Sequence, residues 1–280
     1  MEHNVAASRL QGTGAHALEL DGVARHFGAL VALTGITMRI APGERRAVLG
    51  SNGAGKTTLF NAVTGDFLPT AGRIRFFGED ITALAPHERI RRGLRRTYQI
   101  SQLFTNLSVL DSIYLACRGV SRRRFSLLRP SPSDPNMAQA ESIMHVVHLD
   151  ADRDKLVGTL SHGQQRQLEI ALALAGAPRF ILFDEPAAGL SPTERRDLVA
   201  ILNALPKYIG YIIIEHDLDV ALRVSEYVSM MHNGRLFIGP ERCNRGGECL
   251  GIGALVAGDH DKFVLAVVEA LGNGFQPLPQ

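Results

Sequence analysis

Cysteine is scarce in this 280-residue chain: Cys117, Cys243 and Cys249 make up the whole complement, an odd number at no metal-ligand spacing. That excludes a disulfide-stapled fold and a zinc-ribbon arrangement, and leaves buried or incidental thiols in a reducing compartment. No apolar run approaches the ~18–20 residues that cross a bilayer; the longest, Ile170–Ala177 and Phe180–Phe183, are core-sized. Residues 1–17 are polar and lack an apolar stretch, so no secretory signal is expected there. There is no surplus of one charge either. Thirty Lys and Arg face 28 Asp and Glu for a net +2, which removes the bulk electrostatic case for a nucleic-acid partner. Lysine is rare, limited to Lys56, Lys155, Lys207 and Lys262, so the one set in a glycine-rich loop stands out. The expectation is a soluble, cytoplasmic protein that reaches a membrane only through a partner.

Apolar residues, by contrast, make up 45% of the chain. At roughly 150 residues per domain, the length suits one large domain or two modest ones, with core enough to need no staple. Residues 18–24 and 31–40 alternate as strands, connected through His26–Ala29. After Pro42-Gly43-Glu44, residues 45–49 form a short strand running into Gly50, and a helix starts near Gly55 with Leu59, Phe60 and Val63 on one face. Gly65, Pro69 and Gly72 mark the next turn, and Arg73–Phe77 reads as a strand. Helices are expected over Val109–Cys117 and Ala138–Leu149, with an exposed loop between them that holds Arg122–Arg124 and the Pro/Ser stretch 130–135. A helix over 163–176, the strand Phe180–Phe183, a helix over 193–204 and the strands Tyr211–Ile214 and Tyr227–Met231 follow. Such alternation predicts an α/β fold with a largely parallel sheet covered on both faces.

Residues 50–57 read Gly50-Ser51-Asn52-Gly53-Ala54-Gly55-Lys56-Thr57, a full match to the phosphate-loop pattern G-x-x-x-x-G-K-[ST]. Glycines let the backbone wrap a phosphate chain, successive N–H groups point inward, and the following helix adds its positive end. Lys56 is placed to reach the β- and γ-phosphates and the Thr57 hydroxyl to bind Mg²⁺, with Thr58 next in the same turn. The dry strand Phe180–Phe183 delivers Asp184 and Glu185 at its carboxyl end, where ligands sit in open α/β sheets. Asp184 suits the Mg²⁺ shell and Glu185 the orientation or deprotonation of an attacking water.

Three further elements sit in order around these: Arg96-Thr97-Tyr98-Gln99, Leu160-Ser161-His162-Gly163-Gln164 ahead of a long helix, and Glu215-His216-Asp217 closing the strand Ile212-Ile213-Ile214. In order and spacing the chain resembles the ATP-binding-cassette (ABC) ATPases across about residues 18–240. That resemblance implies a phosphate-loop α/β core, an antiparallel β subdomain near 18–80 and a helical subdomain over about 100–176. It assigns residues 16–241 to the ATPase domain, 1–15 to a flexible N-terminal tail and 242–280 to an atypical C-terminal tail. Ser161, His162, Gly163 and Gln164 look like the signature LSGGQ, departing from it at His162, and the family's signature covers the nucleotide held by a partner subunit. His162 alone reads equally well as an exposed loop residue. Gln99 looks like the glutamine that touches the Mg²⁺ and water shell and relays nucleotide state to the membrane partner. His216 looks like the switch histidine at the γ-phosphate. Phe27 matches the aromatic that stacks on adenine, with plain core as its alternative. Ser191 stands where the family often carries aspartate.

Phe60–Gly65, Pro69–Gly72, Asp80-Ile81-Thr82, Arg96–Gln99 and Ala187–Leu190 resemble the ATPase subunits of bacterial importers for branched-chain amino acids, amides and urea. The resemblance implies ATP and Mg²⁺ as cofactors, integral-membrane permease subunits, a homodimer or a heterodimer with a related ATPase, and an indirect link to a substrate-binding protein. It implies no nucleic-acid partner and a peripheral position on the cytoplasmic face of the inner membrane. Two other functions stay open at this point: a non-transport cassette acting on ribosomes or DNA, and a nucleotide-binding regulatory module without turnover. Arg89, Arg91, Arg92, Arg95 and Arg96 read as a solvated helix face, the alternative being an acidic partner surface or lipid headgroups.

Overall fold

The computed structural model describes residues 16–98, 103–120, 134–243 and 249–250. The expected N-terminal tail, Gln99, the loop holding Arg122–Arg124 and the C-terminal segment from 251 lie outside the described residues. In chain order the elements are β1 (Leu18–Phe27), β2 (Leu30–Ile40), β3 (Arg45–Leu49), α1 (Lys56–Thr64), β4 (Ala71–Phe76), β5 (Glu79–Asp80), α2 (Pro86–Arg91) and β6 (Leu94–Arg96). They continue as α3 (Val109–Val120), α4 (Pro135–Val146), α5 (His162–Leu174), β7 (Phe180–Asp184), α6 (Pro192–Ala204), β8 (Gly210–Ile214), α7 (Leu218–Val224), β9 (Tyr227–His232), β10 (Arg235–Cys243) and β11 (Cys249–Leu250).

Two sheets result. An antiparallel sheet runs β2-β1-β4-β5, and a larger one runs β11-β10-β9-β3-β8-β7-β6. In the larger sheet β9, β3, β8, β7 and β6 are parallel, with β10 and β11 added antiparallel at one edge. The β1–β2 hairpin is tighter than the connection expected over His26–Ala29. Phe27 pairs with Leu30, so only Gly28-Ala29 turn the chain. The sheet also runs past residue 241 into the segment read as a tail, because β10 extends to Cys243 and Cys243 pairs in register with Cys249.

Alternation along the central strands builds two cores, one on each face of the parallel sheet. Val48, Phe180, Leu182, Ile212 and Ile214 pack with β1, β2, β4 and α1 on one side. Ala47, Leu49, Ile181, Phe183, Tyr211 and Ile213 pack with the helical layer α3–α7 on the other. A strand buried on both faces must be apolar at every position, which is why Phe180–Phe183 is an unbroken run. Each such side chain, fully buried, contributes about 1.5–3 kcal/mol. Cys117 lies within the helical core, and burial pushes its thiol up to about 11, the character of an inert packing group. Among the described residues, no helix is long and apolar enough to cross a membrane.

The arginine cluster corrects the solvated-face reading. Arg91 is exposed and Arg92 pairs at the surface with Glu79 at 2.7 Å, but Arg89, Arg95 and the side chain of Arg96 are buried. Arg89 donates to the carbonyls of Ala62 at 2.8 Å and Val63 at 2.7 Å in the last turn of α1, and to those of Leu84 and Thr82 at 2.9 Å each. A helix leaves its last four carbonyls without intrahelical donors, and a cation at that end also answers the dipole. Arg95 is held similarly by the carbonyls of Leu94 and Ala175, at 3.2 Å each, and by that of Ile90. Burial lowers both guanidinium pKa values to about 10, still far above neutrality.

Candidate active site

β3 ends in the middle of the parallel sheet, and the glycine-rich loop joins its carboxyl end to α1. Gly55 is the N-cap of α1, at φ 98°, and a Cβ there would lie 2.8 Å from the Ala32 carbonyl. Having no side chain, it provides no capping oxygen. The first hydrogen bond of the helix is Leu59 N–H to the Gly55 carbonyl at 2.8 Å, so the N–H groups of Lys56, Thr57 and Thr58 face out of the helix end. An uncapped N-terminus of this kind attracts an anion through both its donors and its dipole. Lys56 is folded into the loop, its Nζ donating to the Gly50 carbonyl at 2.6 Å and the Ser51 carbonyl at 3.0 Å. Burial lowers its pKa, while the nearby charges of Glu185 and Asp184 pull it back up.

A cleft of about 820 Å³ opens over this loop, lined by Asn52–Thr58, Leu30, Val31, Ala32, Glu185, His216, Asn233 and Gly234. Glu185 leaves β7 at φ 49°, and its N–H donates to the Ile214 carbonyl of β8 at 2.9 Å. A left-handed conformation at a non-glycine residue is a cost that persists at working sites when neighbours enforce it. The turn sets the Glu185 carboxylate into the cleft, where its Oε1 lies 2.8 Å from His216 Nε2. Glu215, to which the sequence alone assigns no role, braces the chain around this pair. It is 4% exposed and accepts the Ala187 N–H at 2.7 Å and the His216 N–H at 3.3 Å. Its carboxyl therefore fixes the chain just after Glu185 and the chain at His216 together. Desolvation outweighs those N–H groups and raises its pKa to about 7.

Asp184 is buried behind the cleft. Its carboxylate accepts Arg96 Nη2 at 2.7 Å, and its N–H donates to Thr97 Oγ1 at 3.3 Å. Arg96 sits on β6, beside β7 and in register with Leu182.

Ser161 caps α5: its hydroxyl accepts the Gln164 N–H at 3.2 Å and Gln164 returns the bond to the Ser161 N–H at 2.9 Å. Gln164 also donates to Asp152 at 2.7 Å, and the His162 ring lies against Gly189. Ser191 caps α6 in the same reciprocal way with Glu194. The Glu194 carboxyl, held low chiefly by Ser191, also takes the Gly163 N–H.

The structure therefore brings Asn52, Gly53, Ala54, Gly55, Lys56, Thr57, Thr58, Glu185 and His216 to one cleft, with Asp184 close behind Lys56. Gly50 and Ser51 lie at its base as carbonyl partners of Lys56. Ser161, His162, Gly163 and Gln164 are not among its lining residues, and three of them line a separate space of about 140 Å³ between α5 and α6. Phe27 is not among the cleft residues either. Its ring meets Phe67 edge-on, with centroids 5.5 Å apart, and the Arg25 guanidinium covers it at 4.4 Å. The exposed apolar residues at that end of the cleft are Leu30 and Val31. Among the described residues, no group of three or more His, Cys, Asp or Glu forms a metal cluster. Thr57 and Asp184 carry hard oxygen atoms of the kind that Mg²⁺ takes, one or two at a time, alongside substrate phosphates.

Residues 33–188 match the family described as ABC transporter. The high-affinity branched-chain amino acid transport ATP-binding protein BraF of Pseudomonas aeruginosa is 34% identical over 225 residues, which cover 78% of this chain and 88% of that one. LivG of Escherichia coli, an ATP-binding protein of the same transport, is 30% identical over 226 residues, with the same two coverages of 78% and 88%. The lipopolysaccharide export ATP-binding protein LptB of Acidithiobacillus ferridurans is 33% identical over 222 residues, again at 78% and 88%. Among solved structures, the ADP conformation of MJ1267, an ATP-binding cassette of an ABC transporter, superposes with a TM-score of 0.74 at 29% identity, covering 90% of this chain and 98% of that one. With a family match over more than half of its length and relatives of this similarity, the chain belongs to the ABC transporter family as an ATP-binding cassette, an ATPase.

Proposed function

We propose that the chain powers a membrane importer for branched-chain amino acids or the related amides and urea, as one of two cassettes docked on permease subunits at the inner face of the membrane. The observation that carries the catalytic part is the Glu185–His216 contact of 2.8 Å, set in the same cleft as Lys56 and the uncapped start of α1. The Lys56 ammonium and the N–H groups of Lys56, Thr57 and Thr58 grip the β- and γ-phosphates. Glu185 takes a proton from the water that attacks the γ-phosphorus. His216 orients that carboxylate and the water, and Leu30 and Val31 give the adenine ring an apolar wall. Bound Mg²⁺ supplies charge neutralisation at the phosphate oxygens; Thr57 and Asp184 would hold it, with Gln99 at its water shell. Catalysis of this type is mainly positioning and electrostatics.

Ser161–Gln164 are absent from the lining of this cleft, which supports their acting on a second copy's nucleotide. The similarity to BraF and LivG supports the cargo class. Phosphate release tests the core of the reading. Glu185→Gln abolishes turnover and keeps ATP binding, whereas Lys56→Ala weakens binding itself. Equal phosphate release by wild type and Glu185→Gln removes Glu185 as the base. Co-purification of a polytopic membrane protein supports the transport role; RNA or DNA in its place overturns it.

A further inference from the structure

The Arg96 guanidinium is shared between the end of α1 and the end of β7. Nη2 donates to Asp184 Oδ2 at 2.7 Å, and Nη1 donates to Asn61 Oδ1 at 2.5 Å and Asp66 Oδ2 at 3.2 Å. Both members of the Arg96–Asp184 pair are sealed from solvent, their side chains 4% and 3% exposed, while Asp66 is 32% exposed. The rings of Tyr98, at 4.8 Å, and Phe60, at 5.5 Å, cover the guanidinium. A buried carboxylate with one strong cationic partner does not accept a second cation freely. The two positive charges repel each other across a medium that screens them poorly.

We propose that Arg96 is a positioning residue that holds Asp184 as a counter-ion and competes with a divalent cation for it, so that Arg96 sets the metal affinity of the loaded cleft. Asp66 moderates this competition by taking a share of the same guanidinium. This rests on the reading of Asp184 as a residue of the Mg²⁺ shell. It also gives cation arrival a mechanical consequence. The Asp184 N–H is bound to Thr97 Oγ1, and the Thr97 N–H donates to the Leu182 carbonyl at 2.9 Å, so a shift of the Asp184 carboxylate off Arg96 is felt at the end of β6.

Mn²⁺ titration of the full chain with saturating ADP, read by electron paramagnetic resonance, measures this without turnover. Arg96→Gln tightens Mn²⁺ binding roughly tenfold, since it removes the competing charge. Asp66→Asn, at a partly exposed residue that leaves the buried pair whole, weakens it roughly threefold by returning the guanidinium to Asp184. Arg96→Lys keeps a charge and stays within about threefold of wild type. Asp184→Asn weakens Mn²⁺ binding in the presence or absence of Arg96. Unchanged or weaker binding in Arg96→Gln, or tighter binding in Asp66→Asn, overturns the proposal while leaving the nucleotide site standing. Wild-type protein that binds no Mn²⁺ with ADP, or Asp184→Asn that binds it as wild type does, overturns the reading of the cleft and the proposal together.

Discussion

Glu215 offers a quantitative test of how the cleft is held. Its carboxyl is buried and braces the chain around Glu185 and His216, and desolvation raises its pKa from the ordinary 4.5 to about 7. A carboxyl with a raised folded-state pKa contributes stability that is fully present below its unfolded pKa and is lost as pH rises through the folded one. The loss therefore develops between pH 4.5 and about 7. At about 1.4 kcal/mol for each tenfold change in proton concentration it amounts to roughly 3 kcal/mol. Glu215→Gln carries no charge at any pH. Its carbonyl keeps the Ala187 N–H, and its amide loses the N–H groups of His216 and Asp217, at a cost of about 1–2 kcal/mol. The variant is thus slightly less stable than wild type near pH 4.5 and more stable near pH 8. Urea unfolding of both proteins at several pH values gives the difference, in which groups common to both cancel. A difference that rises by roughly 3 kcal/mol over this range is the expected result. A pH-independent difference refutes the burial argument.

Arg89→Met leaves four carbonyl partners without their donor and lowers unfolding free energy by about 3–5 kcal/mol; a midpoint in urea within error of wild type contradicts its capping role at α1. His216→Ala leaves ATP affinity within about threefold and slows turnover by about 10²–10⁴-fold, as seen by phosphate release under saturating nucleotide. Cys117, 1% exposed with a thiol pushed up to about 11, resists a thiol reagent at neutral pH until the protein unfolds; labelling at the rate of a free thiol in native protein is the contrary outcome.

Elements whose physics is local were legible in the sequence. Gly50–Thr57 is specific because a tight anion cradle needs those residue types at that spacing, and Phe180–Phe183 is specific because burial on both sheet faces leaves no room for a polar residue. The reciprocal caps, Ser161 with Gln164 and Ser191 with Glu194, start α5 at His162 and α6 at Pro192, one residue ahead of the starts expected at 163 and 193. Charge in a one-dimensional string misled the arginine reading. Nothing in residues 89–96 tells that the carbonyls of Ala62 and Val63 or the carboxylate of Asp184 meet them from elsewhere in the chain. Glu215 was hidden in the same way beside His216, its role set by the Ala187 N–H from a neighbouring strand end. Short elements such as α2, β6 and α7 have too few residues to display a period, and their place depends on packing against the sheet.

The most direct test of two cassettes closing on two nucleotides is sedimentation velocity of Glu185→Gln with Mg·ATP, paired with measurement of bound nucleotide. A dimer retaining one ATP per chain, reverting to monomer when Ser161 is replaced by a bulky residue, is the predicted result. A monomer that holds ATP in the Lys56 cleft at every protein concentration contradicts the account.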